Sequence, residues 1–332
     1  MADCPIDVAG IGNAIVDVLA HADDAQLGAL GLTKGVMTLI DAQQADVLYA
    51  KMGPGLECSG GSAANTVAGI AALGGKAAYI GKVKNDQLGQ VFRHDLHSQG
   101  VTFETAAAAA GPPTARCLIF VTPDAQRTMQ TYLGACVELG PDDIDGDLLA
   151  AAQVTYLEGY LWDRPEAKAA FRKAATVAHA AGRQVALSLS DPFCVERHRA
   201  EFRQLVSEHI DILFANEAEI TSLFQTDFDD AIRQLKGHVT VAAVTRGAKG
   251  SVVLSGDDVV VQAAEPVAQL VDTTGAGDLY AAGFLYGYTQ GRDLAAAARL
   301  GGICAAEIIS HFGARPAADL AGLVAAAPLL TV

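Results

Sequence analysis

Between Asp272 and Asp278 the chain reads DTTGAGD and runs straight into the apolar stretch LYAAGFLYG, so a polar, glycine-rich turn opens a helix. The free amides of Ala276, Gly277 and Asp278 then lie at a helix N-terminus, where unpaired donors and the positive end of the helix dipole attract an oxyanion. The small residues Gly275, Ala276 and Gly277 let a phosphate approach the backbone closely. A carboxylate at Asp278 has two readings. It caps the helix, or, beside a phosphate cradle, it takes the proton from an attacking alcohol. Phosphoryl transfer needs alignment, charge neutralisation and a positioned base, so on the second reading one turn supplies both the base and the support for the transferring group.

Composition makes such a site useful. The 332 residues carry 38 acidic and 23 basic side chains, a net charge of −15, which disfavours nucleic acid and anionic membranes as partners. An anionic substrate therefore needs a local positive site, and a helix start provides one without basic residues. A hydrophobic content of 51% is enough for a large buried core and excludes disorder as the main state. The opening MADCPIDVAG lacks a basic segment followed by an apolar one, and no stretch approaches the roughly 20 apolar residues that span a bilayer; a cytoplasmic protein is expected. Cys4, Cys58, Cys117, Cys136, Cys194 and Cys304 are scattered without a CxxC spacing, as for reduced thiols in a core.

The elements that must hold the turn follow from periodicity. Short apolar runs at 6–11, 77–80, 154–157, 185–189, 210–214 and 240–244 predict strands, and alanine-rich stretches at 63–73, 166–181, 229–236 and 279–290 predict helices between them. Strand–helix alternation indicates an α/β fold with a mostly parallel sheet covered on both faces. Two stretches break the rhythm, about 14–40 and 101–133; in the second, CLIFVT and RTMQTYL read as strands around the turn-forming Pro123-Asp124. They predict a small accessory β-sheet, a lid inserted in the α/β core. The five alanines at 106–110 approach the turn Gly111-Pro112-Pro113, and no repeat or long linker is present.

A second glycine-rich segment, SGGSAANTVAGIAALGGKAAYIGKVKNDQLG at 59–89, places Gly60-Gly61 before a helix and Asn85, Asp86 and Gly89 in a later turn. With GNAIVD near the N-terminus, NEAE at 216–219, TRGAKG at 245–250 and DTTGAGD, it gives five motifs in one order. In this the chain resembles the PfkB, or ribokinase-like, family of sugar and nucleoside kinases, over nearly its whole length. The resemblance implies a ribokinase-like three-layer α/β/α fold across 1–332 with a small β lid, and an enzyme that uses ATP and Mg2+. It implies Asp278 as catalytic base, with the backbone of Gly275, Ala276 and Gly277 stabilising transition-state charge. Asn216 and Glu219 match residues that organise magnesium, largely through water; on their own they read equally as an ordinary helix start. Asp272 and Thr274 match a monovalent-cation site of some members, which would make K+ an activator. Thr245, Arg246 and Gly247 match a turn lining the ATP site, and the 302–311 segment, ending at His311, matches a helix bordering adenine. Arg127 matches an arginine that reaches the phosphates in members of the adenosine kinase type; by exposure alone it reads as a surface residue.

For the alcohol, Asn13, Asp17, Gly61 and Asn65 match positions that hold the vicinal hydroxyls of a ribose-like ring. GNAIVD, EGYLWD, LSLSDPF and DILFANEAE are closer to adenosine kinases than to ribokinases, and Tyr160, Leu161 and Trp162 offer an apolar wall for a purine. Ala64 departs from this pattern, since eukaryotic adenosine kinases have glutamine there, and DTTG is of the ribokinase type. The expected reaction is adenosine + ATP to AMP + ADP, at the nucleoside 5′-hydroxyl, in a monomer or homodimer. The alternatives are a sugar kinase acting on ribose, fructose or 2-keto-3-deoxygluconate types, and a non-catalytic nucleotide- or sugar-binding protein. A nicotinamide-dependent oxidoreductase, suggested by Gly10-Ile11-Gly12, fails because Ile15 occupies the third glycine position and no acidic residue follows at the cofactor-ribose spacing. A Walker-type kinase fails for want of GxxxxGK[ST].

Overall fold

The computed structural model describes residues 5–124 and 126–327; Cys4 and the rest of the opening tetrapeptide lie outside the described residues. An eight-stranded sheet forms the centre, in the spatial order Asp258–Gln262, Ser251–Ser255, Val241–Thr245, Ile212–Asn216, Gln184–Ser188, Ala152–Glu158, Ile6–Ile11 and Ala77–Ile80. From Val241–Thr245 onward the strands are parallel; the first two are antiparallel additions at one edge.

Successive side chains of a strand point to opposite faces. Val8 accordingly packs into one apolar cluster, and Ala9 and Ile11 into another on the far side. Helices Ser62–Ala72, Ala276–Thr289 and Leu294–Ile308 cover the first face, and Pro165–Ala180 and Pro192–His209 the second, which completes three α/β/α layers. The carboxyl ends of the parallel strands lead into Gly12-Asn13, Glu158, Asn216 and Thr245, so the motif residues collect along one edge of the sheet, where ligands of open α/β sheets bind.

A second, five-stranded sheet has the order Met37–Leu39, Arg127–Tyr132, Ala115–Val121, Ile15–His21 and Gly55–Gly60. The two runs flanking Pro123-Asp124 pair antiparallel. Its limits differ from those expected in two ways. Residues 101–114 run along the edge of the large sheet instead, with bridges from Thr102 to Ala78 and from Ala108 to Lys84, because Val101 and Phe103 are buried in the main core and Phe103 packs edge-on against Tyr79 and Phe92. The strand Gly55–Gly60, GLECSG, carries no apolar alternation and is not among the strands expected; pairing with Ile15–His21 makes it a strand.

Two glycines bring the site together. At Gly69 a Cβ would lie 2.6 Å from Leu279 and 2.7 Å from Ala282, so helices Ser62–Ala72 and Ala276–Thr289 approach closely with their N-termini side by side. Gly61, the residue before the first of these helices, has φ 91°, and a Cβ there would lie 2.1 Å from the Asn13 carbonyl oxygen. Only glycine fits that corner.

Candidate active site

The turn before helix Ala276–Thr289 is built as an anion cradle. Gly275 takes the left-handed conformation, φ 77°, and no side chain caps the helix; the space over the Gly277 α-carbon is open. The first amides therefore remain available to a ligand. Asp278 lies inside the helix, and its carboxylate points across to the neighbouring helix: Oδ1 accepts from Ser62 Oγ at 2.6 Å and Oδ2 from Asn65 Nδ2 at 2.8 Å. It is thus not the helix cap. Burial pushes its carboxyl upward, while the two hydrogen bonds and the Arg315 guanidinium act in the opposite direction. Each oxygen keeps a lone pair for the hydroxyl of an acceptor.

Arg127 arrives from the second sheet. Its Nε lies 2.9 Å from Asp272 Oδ1, Nη2 donates to Thr273 Oγ1 at 3.2 Å, and Nη1 donates to Thr274 Oγ1. The arginine is paired, and it brings a positive charge to the phosphate turn. Asp272 is 2% exposed. Besides Arg127 it accepts from the Thr274 amide at 2.9 Å, from Thr274 Oγ1 at 2.6 Å and, through Oδ2, from the Gly313 amide at 3.1 Å. This donor set does not fit a monovalent cation at Asp272 and Thr274: a guanidinium already neutralises the carboxylate, and both side chains are engaged.

The acceptor side is lined by polar atoms left open. Asn13, 2% exposed, donates through Nδ2 to Glu158 Oε1 at 2.8 Å, and Glu158 Oε2 accepts from the Ala63 amide at 2.9 Å. This orients the Asn13 carboxamide and leaves its Oδ1 buried with no partner among the described residues. Asp17, 9% exposed, lies on strand Ile15–His21, and its carboxylate fills the space over Gly60, where a Cβ would lie 2.2 Å from Oδ2. Burial, opposed by the Arg315 and Arg127 guanidiniums and reinforced by Asp278, raises its carboxyl to about 7; burial likewise raises Glu158 to about 7. Asn65 is engaged at both ends, its Oδ1 accepting from Arg315 Nη1. Tyr160 is 37% exposed and donates its amide to Ser190 Oγ at 3.1 Å. Leu161 and Trp162 do not join it in a wall. Both are buried in the far-face core, where Trp162 packs on Phe171 and Phe202 and donates to Glu201 at 2.9 Å.

On the nucleotide side Asn216 caps helix Glu217–Phe224, and its side chain and amide bind both Glu219 oxygens, at 2.6 and 2.9 Å. The helix-start reading holds here. Glu219 is buried, and burial together with the charges of Asp191 and Asp278 raises its carboxyl to about 7. Magnesium, a hard ion that takes oxygen ligands, would be held on the Asn216–Glu219 side through water. No group of three or more His, Cys, Asp or Glu among the described residues would cage a metal directly. Arg246 is held bidentate by Glu217, at 3.2 Å for each bond, with its guanidinium carbon 3.9 Å above the Phe228 ring centre; Thr245 and Gly247 flank it at the end of the strand. His311 lies beyond the end of helix Leu294–Ile308 and pairs with Glu307 at 3.0 Å.

Three participants are not among the residues singled out in the sequence: Ser62, Glu158 and Arg315. Ser62 and Glu158 lie within quoted segments, GGSAANT and EGYLWD, and a count of polar side chains at the carboxyl ends of strands would have found Glu158. Arg315 lies in a loop without periodicity and gave no signal.

A glycine-opened anion cradle, a carboxylate across from it and a three-layer parallel sheet define a kinase of small alcohols. The chain belongs to the pfkB family of carbohydrate kinases, whose family model matches residues 36–320, and is a phosphotransferase that uses ATP. In structure it is similar to an adenosine kinase from Sinorhizobium meliloti, at 54% identity and TM-score 0.90 over 96% of this chain and 98% of that one. It is also similar to a probable sugar kinase from Rhizobium etli, at 50% identity and TM-score 0.92 over 98% and 100%. An ATP-dependent ribose-1-phosphate kinase from Halopiger xanaduensis is 32% identical over 79% of this chain and 85% of its own. No helix among the described residues is long and apolar enough to cross a membrane.

Proposed function

We propose that the enzyme transfers the γ-phosphoryl group of ATP to the 5′-hydroxyl of a nucleoside, with adenosine the acceptor that fits best. The observation that carries this reading is the pairing of Asp278, held between Ser62 and Asn65 at the mouth of the cradle, with the open acceptors Asn13 Oδ1 and Asp17 on the far side. Asp278 takes the hydroxyl proton as the oxygen attacks phosphorus, and the amides of Gly275, Ala276 and Gly277 stabilise the charge on the transferring group. Asp17 and Asn13 accept the hydrogens of the vicinal ring hydroxyls. Arg127, with Thr245, Arg246, Gly247 and His311 along the nucleotide side, frames the triphosphate and base. Magnesium held through water by Asn216 and Glu219 supplies charge neutralisation to the phosphates when bound. The second sheet, from Ile15–His21, Met37–Leu39, Gly55–Gly60, Ala115–Val121 and Arg127–Tyr132, acts as a lid and limits ATP hydrolysis by excluding water.

Charge argues for a neutral acceptor. Asp17, Glu158 and Asp278 face the pocket against the two guanidiniums of Arg127 and Arg315, so a sugar phosphate would meet no surplus of positive charge. Similarity to the S. meliloti adenosine kinase supports the nucleoside. A second reading, a neutral sugar as acceptor, draws on the burial of Leu161 and Trp162, which leaves Tyr160 alone on the expected base wall. A coupled ADP assay with adenosine, other nucleosides, ribose, fructose 6-phosphate, ribose 1-phosphate and 2-keto-3-deoxygluconate decides. Turnover of adenosine is expected; rapid turnover of a sugar with none of adenosine would overturn the nucleoside reading.

A further inference from the structure

Arg315, in the loop after helix Leu294–Ile308, belongs to none of the motifs, yet it touches Asn65, a partner of Asp278, from a position 250 residues away. Its Nη1 donates to Asn65 Oδ1, and its Nη2 donates to Ser59 Oγ at 2.7 Å. Asn65 is 4% exposed and donates its own Nδ2 to Asp278 Oδ2 at 2.8 Å. Ser59, 1% exposed on strand Gly55–Gly60, donates onward to Asp95 of helix Gln87–Ser98 through both its hydroxyl and, at 2.8 Å, its amide.

A carboxamide has one accepting and one donating end, and a guanidinium can only donate. With Arg315 on one side, Asn65 must turn its oxygen toward the guanidinium and its NH2 toward Asp278. Rotated by half a turn it would set N–H against N–H and oxygen against carboxylate. Without Arg315 the orientation rests on the Asp278 carboxylate alone, which demands the NH2 end only while it is ionised. The same polarity makes Ser59 an acceptor from Arg315 and a donor to Asp95, so donation runs outward from Arg315 in two directions, through Ser59 to Asp95 of helix Gln87–Ser98 and through Asn65 to Asp278.

We infer that Arg315 is a positioning residue for the base: its guanidinium sets the orientation of the Asn65 carboxamide, and with it the hydrogen bond that aims Asp278, and couples this to the second sheet through Ser59. The inference rests on Asp278 being the base. Its electrostatic side is consistent with the geometry. The charged groups facing Asp278 are Asp17 on strand Ile15–His21, Glu158 on Ala152–Glu158, Glu219 on helix Glu217–Phe224 and Arg315. Arg315 is the cation among them, and it opposes the burial that pushes Asp278 and Asp17 upward.

The test uses the full-length enzyme carrying Arg315→Met, Arg315→Lys or no change, each checked for folding by circular dichroism. Aspartate carboxyl carbons labelled with 13C are titrated by NMR without substrates, the Asp278 signal being assigned from its loss in Asp278→Asn. In Arg315→Met the Asp278 midpoint should rise by about one pH unit, the nearby cation being lost, and the acid limb of kcat should rise with it. The value of kcat should fall about ten- to a hundredfold through misorientation of the base, with KM for ATP little changed. Arg315→Lys keeps the charge but cannot bridge Asn65 and Ser59, so it should restore the midpoint and leave kcat low. A wild-type midpoint and kcat in Arg315→Met overturn the inference; if that variant does not fold, wild-type kcat in Arg315→Lys overturns it. A wild type that phosphorylates no alcohol overturns the proposed function instead, and the NMR midpoint still reports whether Arg315 acts on Asp278.

Discussion

Two buried aspartates on opposite sides of the cleft are treated in opposite ways. Asp272, behind the phosphate turn, receives Arg127, two donors of Thr274 and the Gly313 amide. Asp17, in the acceptor pocket, receives no hydrogen bond from any described residue and is raised to about 7 by burial. A buried polar group without a partner costs roughly 1–3 kcal/mol, and such groups persist where a ligand completes them. The phosphate side is thus a finished framework, and its ligand binds to backbone amides that the framework holds out. The acceptor side is unfinished: Asp17 and the Asn13 Oδ1 orphan are complementary to hydroxyl hydrogens that only a substrate brings. On the proposed function, selectivity for the alcohol belongs to the second region and the chemistry to Asp278, which stands where they meet.

The largest effect expected from breaking this arrangement is at that meeting point. Asp278→Asn should lower kcat by about a hundred- to ten-thousand-fold, the range general-base catalysis supplies, while ATP binding by equilibrium titration persists, since the cradle is backbone. Retention of more than a tenth of wild-type kcat would remove Asp278 as the base.

Asp17→Asn attacks the unfinished side. It retains one accepting oxygen, so KM for the nucleoside should rise by about tenfold to a hundredfold, the equivalent of losing one buried hydrogen bond to a charged group, with kcat for bound substrate reduced much less. Deoxy analogues should then be discriminated less sharply than by the wild type. The pH dependence has a definite sign. Burial raises the folded carboxyl to about 7 from its ordinary 3.8, so the unfolded chain ionises first and Asp17 removes stability from the free protein as pH rises from about 4 to 7. Hydroxyl hydrogens need the ionised form; KM for the nucleoside should therefore rise about tenfold for each pH unit below 7. Glu158 and Glu219 are raised to the same range and Asp278 is pushed upward as well, and the Asn variant separates Asp17 from these, because whatever slope it retains belongs to another group. An unchanged slope in Asp17→Asn would detach Asp17 from substrate binding.

These roles differ in how far the sequence reveals them. Turns whose geometry is local are legible: DTTGAGD predicts a glycine turn that opens a helix, and Gly275 with its positive φ opens one. The central strands are legible because burial on both faces leaves unbroken apolar runs, as at Ala77–Ile80. What escapes is what tertiary pairing alone decides. Strand Gly55–Gly60 exists through its neighbour Ile15–His21, residues 101–114 change sheets because Phe103 is needed in the main core, and Trp162 turns to the far-face core although its neighbour Tyr160 stays partly exposed. Arg315 escapes for the same reason: its role is defined by two side chains about 250 residues distant, and no spacing rule reaches across that interval.

Gly61→Ala probes the wall between the two regions. The position has φ 91°, and the new Cβ would lie 2.1 Å from the Asn13 carbonyl oxygen; backbone strain of this kind costs about 1–3 kcal/mol. A lower Tm is expected, together with a raised KM for the nucleoside because Asn13 must move, and no change in affinity for ATP. A variant that loses ATP affinity and keeps nucleoside affinity would place Gly61 on the wrong side of the comparison.

The smallest expected effect tests the finished side. With Arg127 against Asp272 and Thr274, replacing K+ by Na+ at constant ionic strength should change kcat by less than about twofold, because a resident guanidinium already balances the carboxylate that an ion would have to reach. Arg127→Met removes that charge and leaves Asp272 buried with hydrogen bonds but no counter-ion, a costly state that an added monovalent cation relieves. Dependence on K+ should therefore appear in the variant and be absent from the wild type, both in turnover and as a KCl-specific rise in Tm. Strong activation of the wild type by K+ would mean that Arg127 leaves Asp272 during turnover, and the phosphate side would then be as unfinished as the acceptor side.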